Sequence, residues 1–166
     1  MSNIFKVDGK RNIAVLIISI IVAEGIGILS SYLGFNKTET YKTLVKPFFT
    51  PPSWVFAVVW PILYLLMAIA VYRIWLKGKG GESIKKALIL YGIQLVLNFM
   101  WTIIFFRFRL IGLAFFELLL LLIFILLTTF EFYKFDKISG ILMIPYIVWV
   151  SFAGVLNFAF WMLNNM

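Results

Sequence analysis

Five apolar stretches, at about 12–33, 53–75, 84–106, 110–133 and 138–163, make up most of this chain, and each is near the ~20 residues a helix needs to cross ~30 Å of hydrocarbon. Lipid offers the backbone N–H and C=O groups no partner, so a spanning segment must satisfy them internally, as an α-helix does. The expected fold class is therefore an all-α integral membrane protein, a bundle of five transmembrane helices. Charged residues are 13% of the 166, about half the ~25% of a soluble domain. Lys10 and Arg11 ahead of the first stretch resemble the charged start of a signal peptide. The apolar run is too long for one and no small-residue cleavage site follows, so it reads as a retained span. No linker is long enough to separate two units, and residues 1–166 read as a single domain.

The chain contains neither cysteine nor histidine, which removes disulfides, thiolate chemistry, the commonest general base and the commonest metal ligand. No metal site is expected, and metal hydrolysis and His-dependent triads are set aside. The formal charge of +8 sits at helix ends, where Lys and Arg meet anionic lipid headgroups. Membrane lipid is thus an expected partner and nucleic acid is not, since no basic patch interleaves with a soluble domain. One side collects ten basic residues, Lys6, Lys10, Arg11, Arg73, Lys77, Lys79, Lys85, Lys86, Lys134 and Lys137; the other has five, Lys37, Lys42, Lys46, Arg107 and Arg109. The positive-inside rule then predicts a cell-membrane protein with a cytoplasmic N-terminus and, after an odd number of spans, an outward C-terminus.

The connections are short except for residues 34–52, which carry Tyr41, Phe48 and Phe49 together with Pro47, Pro51 and Pro52. A long loop stiffened by prolines and rich in aromatics predicts a lid over a flat, apolar ligand. It leads into a helix whose Phe56, Trp60 and Tyr64 recur every four residues and share one face. The brevity of Arg107-Phe108-Arg109 makes the third and fourth helices antiparallel neighbours.

The third helix places Gln94, Asn98 and Trp101 on one stripe, and the fifth does the same with Trp149, Ala153 and Asn157. Amides inside a membrane seldom face lipid, so both stripes should point into the bundle, either to hydrogen-bond between helices or to contact a ligand. Trp54, Trp75 and Trp161 lie near span ends, where an interfacial aromatic belt is the ordinary explanation. Trp60, Trp101 and Trp149 lie deeper, and deep indoles beside amides describe a polarisable cavity better than a packing core. Glu24 and Glu117 are intramembrane carboxyls and functional candidates on that ground. Glu117, about two turns from Arg109, reads more simply as a structural residue near an interface.

Three blocks then resemble the TspO/MBR family of tryptophan-rich sensory and translocator proteins: KPFFTPPSWVFAVVWPILY at 46–64, QLVLNFMWTIIFF at 94–106 and LMIPYIVWVSFAGVLNFAFWMLN at 142–164. The resemblance implies a five-helix bundle, often a homodimer, whose ligand cavity opens beneath the first loop and takes porphyrins, sterols and synthetic benzodiazepine-site ligands. It also implies pocket tryptophans at Trp60 and Trp149, a polar position at Asn98 with its aromatic neighbour Trp101, a small residue at Ala153 and a loop tyrosine at Tyr41. The tail after Trp161 lacks the tyrosine and basic residue of the cholesterol-recognition pattern found in the animal members, which favours a tetrapyrrole over a sterol. The expected activity is that of a receptor or transporter-like binder of a metal-free porphyrin such as protoporphyrin IX, with a tetrapyrrole or stress-signalling role and no required cofactor. The alternative is light-dependent oxidative degradation of the bound porphyrin, using Trp60 and Trp149.

Overall fold

The computed structural model describes residues 4–34 and 42–164, and among these a single bridge between Val7 and Lys10 is the only extended pairing. The helices are α1 (Ile13–Leu33), α2 (Ser53–Lys79), α3 (Lys85–Thr102), α4 (Ile111–Phe135), α5 (Lys137–Leu142) and α6 (Ile144–Asn164). A π-helical turn, Ile103–Arg107, continues α3. Five runs are long and apolar enough to cross a membrane: α1, α2, α3 with its π turn, α4, and α5 with α6. Their bounds lie within a few residues of those expected from hydropathy.

Local chemistry sets the ends. Asn12 caps α1 by accepting from Val15 N at 3.1 Å, and Asp136 caps α5 by accepting from Ser139 N at 2.8 Å. Lys77 and Lys79 lie in the last turn of α2, where the helix dipole favours positive charge. The fifth span is not the unbroken helix expected over 138–163: it is interrupted at Met143. Pro145 accounts for this, because its ring would clash with the carbonyl four residues back, while the first turn of a new helix needs no N–H there. Pro61, by contrast, sits inside α2 and the helix runs on through it.

The closest helix pairs are α3 with α4, α1 with α2, and α4 with α6; α2 also packs on α5 and α1 on α3. The third and fourth spans are neighbours, as their short connection requires, and Arg109 turns that corner with φ 56°. Gly27 of α1 lets the Tyr64 ring approach to where any Cβ would collide with it. The backbones of α2 and α6 stay farther apart, and large side chains cross the space between them. Outward faces are apolar, with Ile28 70% exposed, as a lipid-facing surface must be.

The N-terminal end is tied by polar groups. Arg73 of α2 pairs in bidentate fashion with Asp136, at 2.7 and 2.8 Å, and donates to the Ile4 carbonyl at 2.7 Å. Ser139 Oγ adds a bond to Asp136 at 2.7 Å. Burial pushes the Asp136 carboxyl up, but the hydrogen bonds from Arg73 and Ser139 outweigh it and hold the group below the usual carboxylate range. Lys77 with Asp8, and Lys86 and Lys134 with Glu131, gather at the same end. The residues of the larger basic group therefore do share one end of the bundle.

Candidate functional site

Helical spacing predicted that Phe56, Trp60 and Tyr64 would share a face of α2, and that face meets α6. Phe56 lies against Trp149 with ring centroids 5.6 Å apart, and Trp60 against Tyr146 at 6.4 Å and Tyr64 at 5.7 Å. Edge-to-face and tilted pairs at these separations suit the charge distribution of the rings. The predicted stripe on α3 joins them from the third side. Tyr64 Oη donates to Asn98 Oδ1, and Asn98 Nδ2 donates to Tyr146 Oη at 2.8 Å, so α2, α3 and α6 are linked through one buried amide. Nearer the other end of the bundle Trp101 Nε1 donates to Asn157 Oδ1 at 3.1 Å, and Asn157 Nδ2 donates to the Ile111 carbonyl at 2.9 Å. Both amides make the interhelical bonds that the sequence left open as one of two readings.

Phe56, Trp101, Phe105, Phe106, Ala153 and Asn157, with Leu156 and Phe160, line a small cavity of about 30 Å³. That is room for about one water molecule, against the several hundred Å³ of a site holding a drug-sized ligand. Ring contacts fill the rest of this interior. A larger groove of about 400 Å³ opens between α4 and α6 on the outer face, lined by residues such as Phe115, Leu119, Gly154 and Phe158. Ser151 is its one polar lining residue, so it offers a ligand little to orient by.

Of the predicted site residues, Phe56, Trp101, Ala153 and Asn157 line the cavity, Trp149 packs on Phe56, and Trp60, Tyr64 and Asn98 form an adjoining group with Tyr146; Tyr41 lies outside the described residues. The rest of the predicted lid is described only over 42–52. There Leu44 is buried against Phe105, Ile111 and Phe160, Phe49 meets the Phe152 ring at 6.5 Å, and the Val45 backbone exchanges two hydrogen bonds with Asn164. Phe48 is fully exposed. This part of the loop packs against the cavity end of the bundle.

Sequence reasoning missed Phe105 and Phe106. Consecutive residues of a regular helix point about 100° apart, yet both rings touch Trp101, at 5.2 and 6.0 Å. The wide turn at Ile103–Arg107 allows it, and π turns of this kind are frequent at functional sites. Glu117, read as a structural residue near an interface, has both carboxyl oxygens buried with no hydrogen-bond partner among the described residues, as have Trp149 Nε1 and Gln94 Oε1. Local sequence does not show this, because it depends on the register of α4 against its neighbours.

Comparison with known proteins bears on this geometry. The TspO/MBR family matches residues 17–162. The tryptophan-rich protein TspO of Archaeoglobus fulgidus is 39% identical over 156 residues, covering 92% of this chain and 99% of that protein. The tryptophan-rich sensory protein of Cereibacter sphaeroides is 36% identical over 127 residues, 76% of this chain and 77% of its own. The translocator protein of Bos taurus is 37% identical over 145 residues, with 82% and 85% covered. With a family match that spans most of its length and five helices long and apolar enough to cross a membrane, the chain belongs to the TspO/MBR family and is an integral membrane protein.

Proposed function

We propose that the protein is a receptor or transporter-like binder of porphyrins, with a role in tetrapyrrole or stress signalling. The observation that carries this reading is the aromatic interior between α2, α3 and α6, where Phe56, Trp101 and small Ala153 line a cavity, Trp149 packs on Phe56, and Trp60 continues the ring contacts to Tyr146. Rings that already contact one another exchange those contacts for the faces of a flat ligand at little net cost in buried apolar area. The ligand is a metal-free porphyrin such as protoporphyrin IX, and no cofactor is needed to hold it. The cavity is closed at rest, so binding is coupled to separation of α2 from α6, with residues 34–52 acting as the lid. The protein sits in the cell membrane with its N-terminus cytoplasmic, and it works as a homodimer.

Saturable quenching of tryptophan fluorescence by protoporphyrin IX, weakened in Trp60→Phe and Trp149→Phe, is the expected result; unsaturable quenching insensitive to both variants would sink the reading. Amide exchange over 42–52 should slow on binding, and unchanged exchange there removes the lid. Cysteines placed singly at Ser2 and Asn165 test the orientation, since only the second should be labelled from outside intact cells.

A second reading rests on Trp149, whose half-buried indole lies between Phe56 and Phe152 with its N–H unpaired. Light-dependent oxidative degradation of the bound porphyrin would use this indole and Trp60. Illumination of the complex separates the two: conversion to a distinct product that disappears in Trp149→Phe marks an enzyme, and unchanged pigment marks a binder.

A further inference from the structure

The polar groups inside the bundle divide by whether their hydrogen-bonding capacity is already used. Asn98 bonds Tyr64 and Tyr146, and Asn157 bonds Trp101 and the Ile111 carbonyl. Each amide has both ends engaged between helices and serves the fold. Glu117 has neither oxygen engaged, although both are buried. An unpaired buried carboxyl is costly, and a leucine in its place would spare that cost. Intramembrane carboxyls that persist without a partner mark functional positions.

Its place in the fold says what it faces. Phe115, Leu118, Leu119 and Leu122 of α4 line the outer groove, and Glu117 is on another side of the helix. It shares that side more nearly with Glu131, which bonds Lys86 of α3. Helices α4 and α6 run antiparallel, with Asn157 bonded to the Ile111 carbonyl and Gly154 against Leu118. This register puts Glu117 level with Ala153, the small residue on the cavity wall, and about one turn from Trp149, just outside the set of residues that line the cavity itself.

We propose that Glu117 is the hydrogen-bond acceptor of the ligand cavity, so that the site selects a flat apolar ligand carrying an N–H donor over a hydrocarbon of the same outline. The proposal rests on reading this interior as a ligand cavity. Trp149 Nε1, also unpaired, is a matching donor for a ligand with an acceptor on another edge.

Carbazole and fluorene test it, since the two tricyclics share an outline and differ by N–H against CH₂. Titrated calorimetrically into the purified protein in neutral detergent, carbazole should bind about tenfold more tightly or better. Glu117→Leu should bring carbazole down to the affinity of fluorene while leaving fluorene within about twofold. Equal affinities in the wild type, no carbazole binding at all, or a preference undiminished in Glu117→Leu would each overturn the assignment. If Glu117→Leu fails to fold, Glu117→Met carries the test: a thioether is only a weak acceptor, so the preference should fall by about threefold or more, and an unchanged one overturns it. Protoporphyrin IX quenching on the same samples keeps the readings apart. Selective carbazole binding without porphyrin binding keeps Glu117 and drops the tetrapyrrole, and porphyrin binding without selectivity does the reverse.

Discussion

At the N-terminal end of the bundle Arg73, Asp136, Ser139 and the Ile4 carbonyl answer one another's hydrogen bonds, whereas deeper between the helices Glu117, Trp149 and Gln94 carry buried polar atoms that no described residue answers. Both regions are buried and both contain charge or dipoles in a low-dielectric setting. Saturation makes the first a fixture: a bidentate guanidinium–carboxylate pair has one good geometry, and it locks α2 to α5 and to the segment before α1. The second is held by ring contacts, which are weakly directional, together with the amide bridges at Asn98 and Asn157. On the proposed function, the ring contacts are the part a ligand exchanges while the saturated end stays fixed.

The largest expected effect tests the fixture. Asp136→Ala leaves Arg73 buried and unpaired, with side-chain exposure of 4% in the intact pair, and should cost ~3–5 kcal/mol of stability. Thermal unfolding in detergent measures this; a loss no greater than that of Trp149→Phe would erase the distinction between the ends. Next comes Ala153→Leu, which adds bulk to a cavity of about 30 Å³ and should weaken protoporphyrin IX binding by ~1–3 kcal/mol, with little change in melting temperature. Trp60→Phe and Trp149→Phe should each weaken it by ~0.5–1.5 kcal/mol, about threefold to tenfold. Trp75→Phe belongs to the other end, where the indole lies 5.1 Å from Lys79 Nζ, and should leave affinity unchanged. Equal damage from Trp75→Phe would mean the cavity has been placed at the wrong end.

The smallest effect is on pH. Asp136 stays ionised to lower pH in the folded protein than in the unfolded chain, because Arg73 and Ser139 bond the charged form. Its contribution is complete above the unfolded carboxylate value of ~4 and is lost as pH falls through the lower folded value. Wild type should therefore lose stability on acidification more steeply than Asp136→Asn. Parallel curves would show that the pair does not hold the end together.

Much of the site was legible before any coordinates. Phe56, Trp60 and Tyr64 lie four apart, as do Gln94 and Asn98, and Trp149, Ala153 and Asn157, so helical geometry alone aimed them inward as sets. Asn98 and Asn157 were harder: spacing said that they face the bundle but could not say whether a helix or a ligand takes their bonds. Phe105 and Phe106 were invisible because a regular helix cannot present both to Trp101. The break at Met143 had a visible cause in Pro145, yet Pro61 shows that an intramembrane proline need not end a helix. Whether one does depends on what satisfies the freed carbonyl.

The sequence by itself determined the number of spans, their approximate ends and the face each turns inward, because lipid leaves the backbone one way to satisfy its own hydrogen bonds and leaves polar and aromatic groups one direction to go. Only the tertiary structure decided which of those groups meet. Partners depend on the axial register and separation of helices far apart in the chain, so the α3 stripe yields a spent amide at Asn98 while Glu117 of α4 keeps two buried carboxyl oxygens with no partner among the described residues.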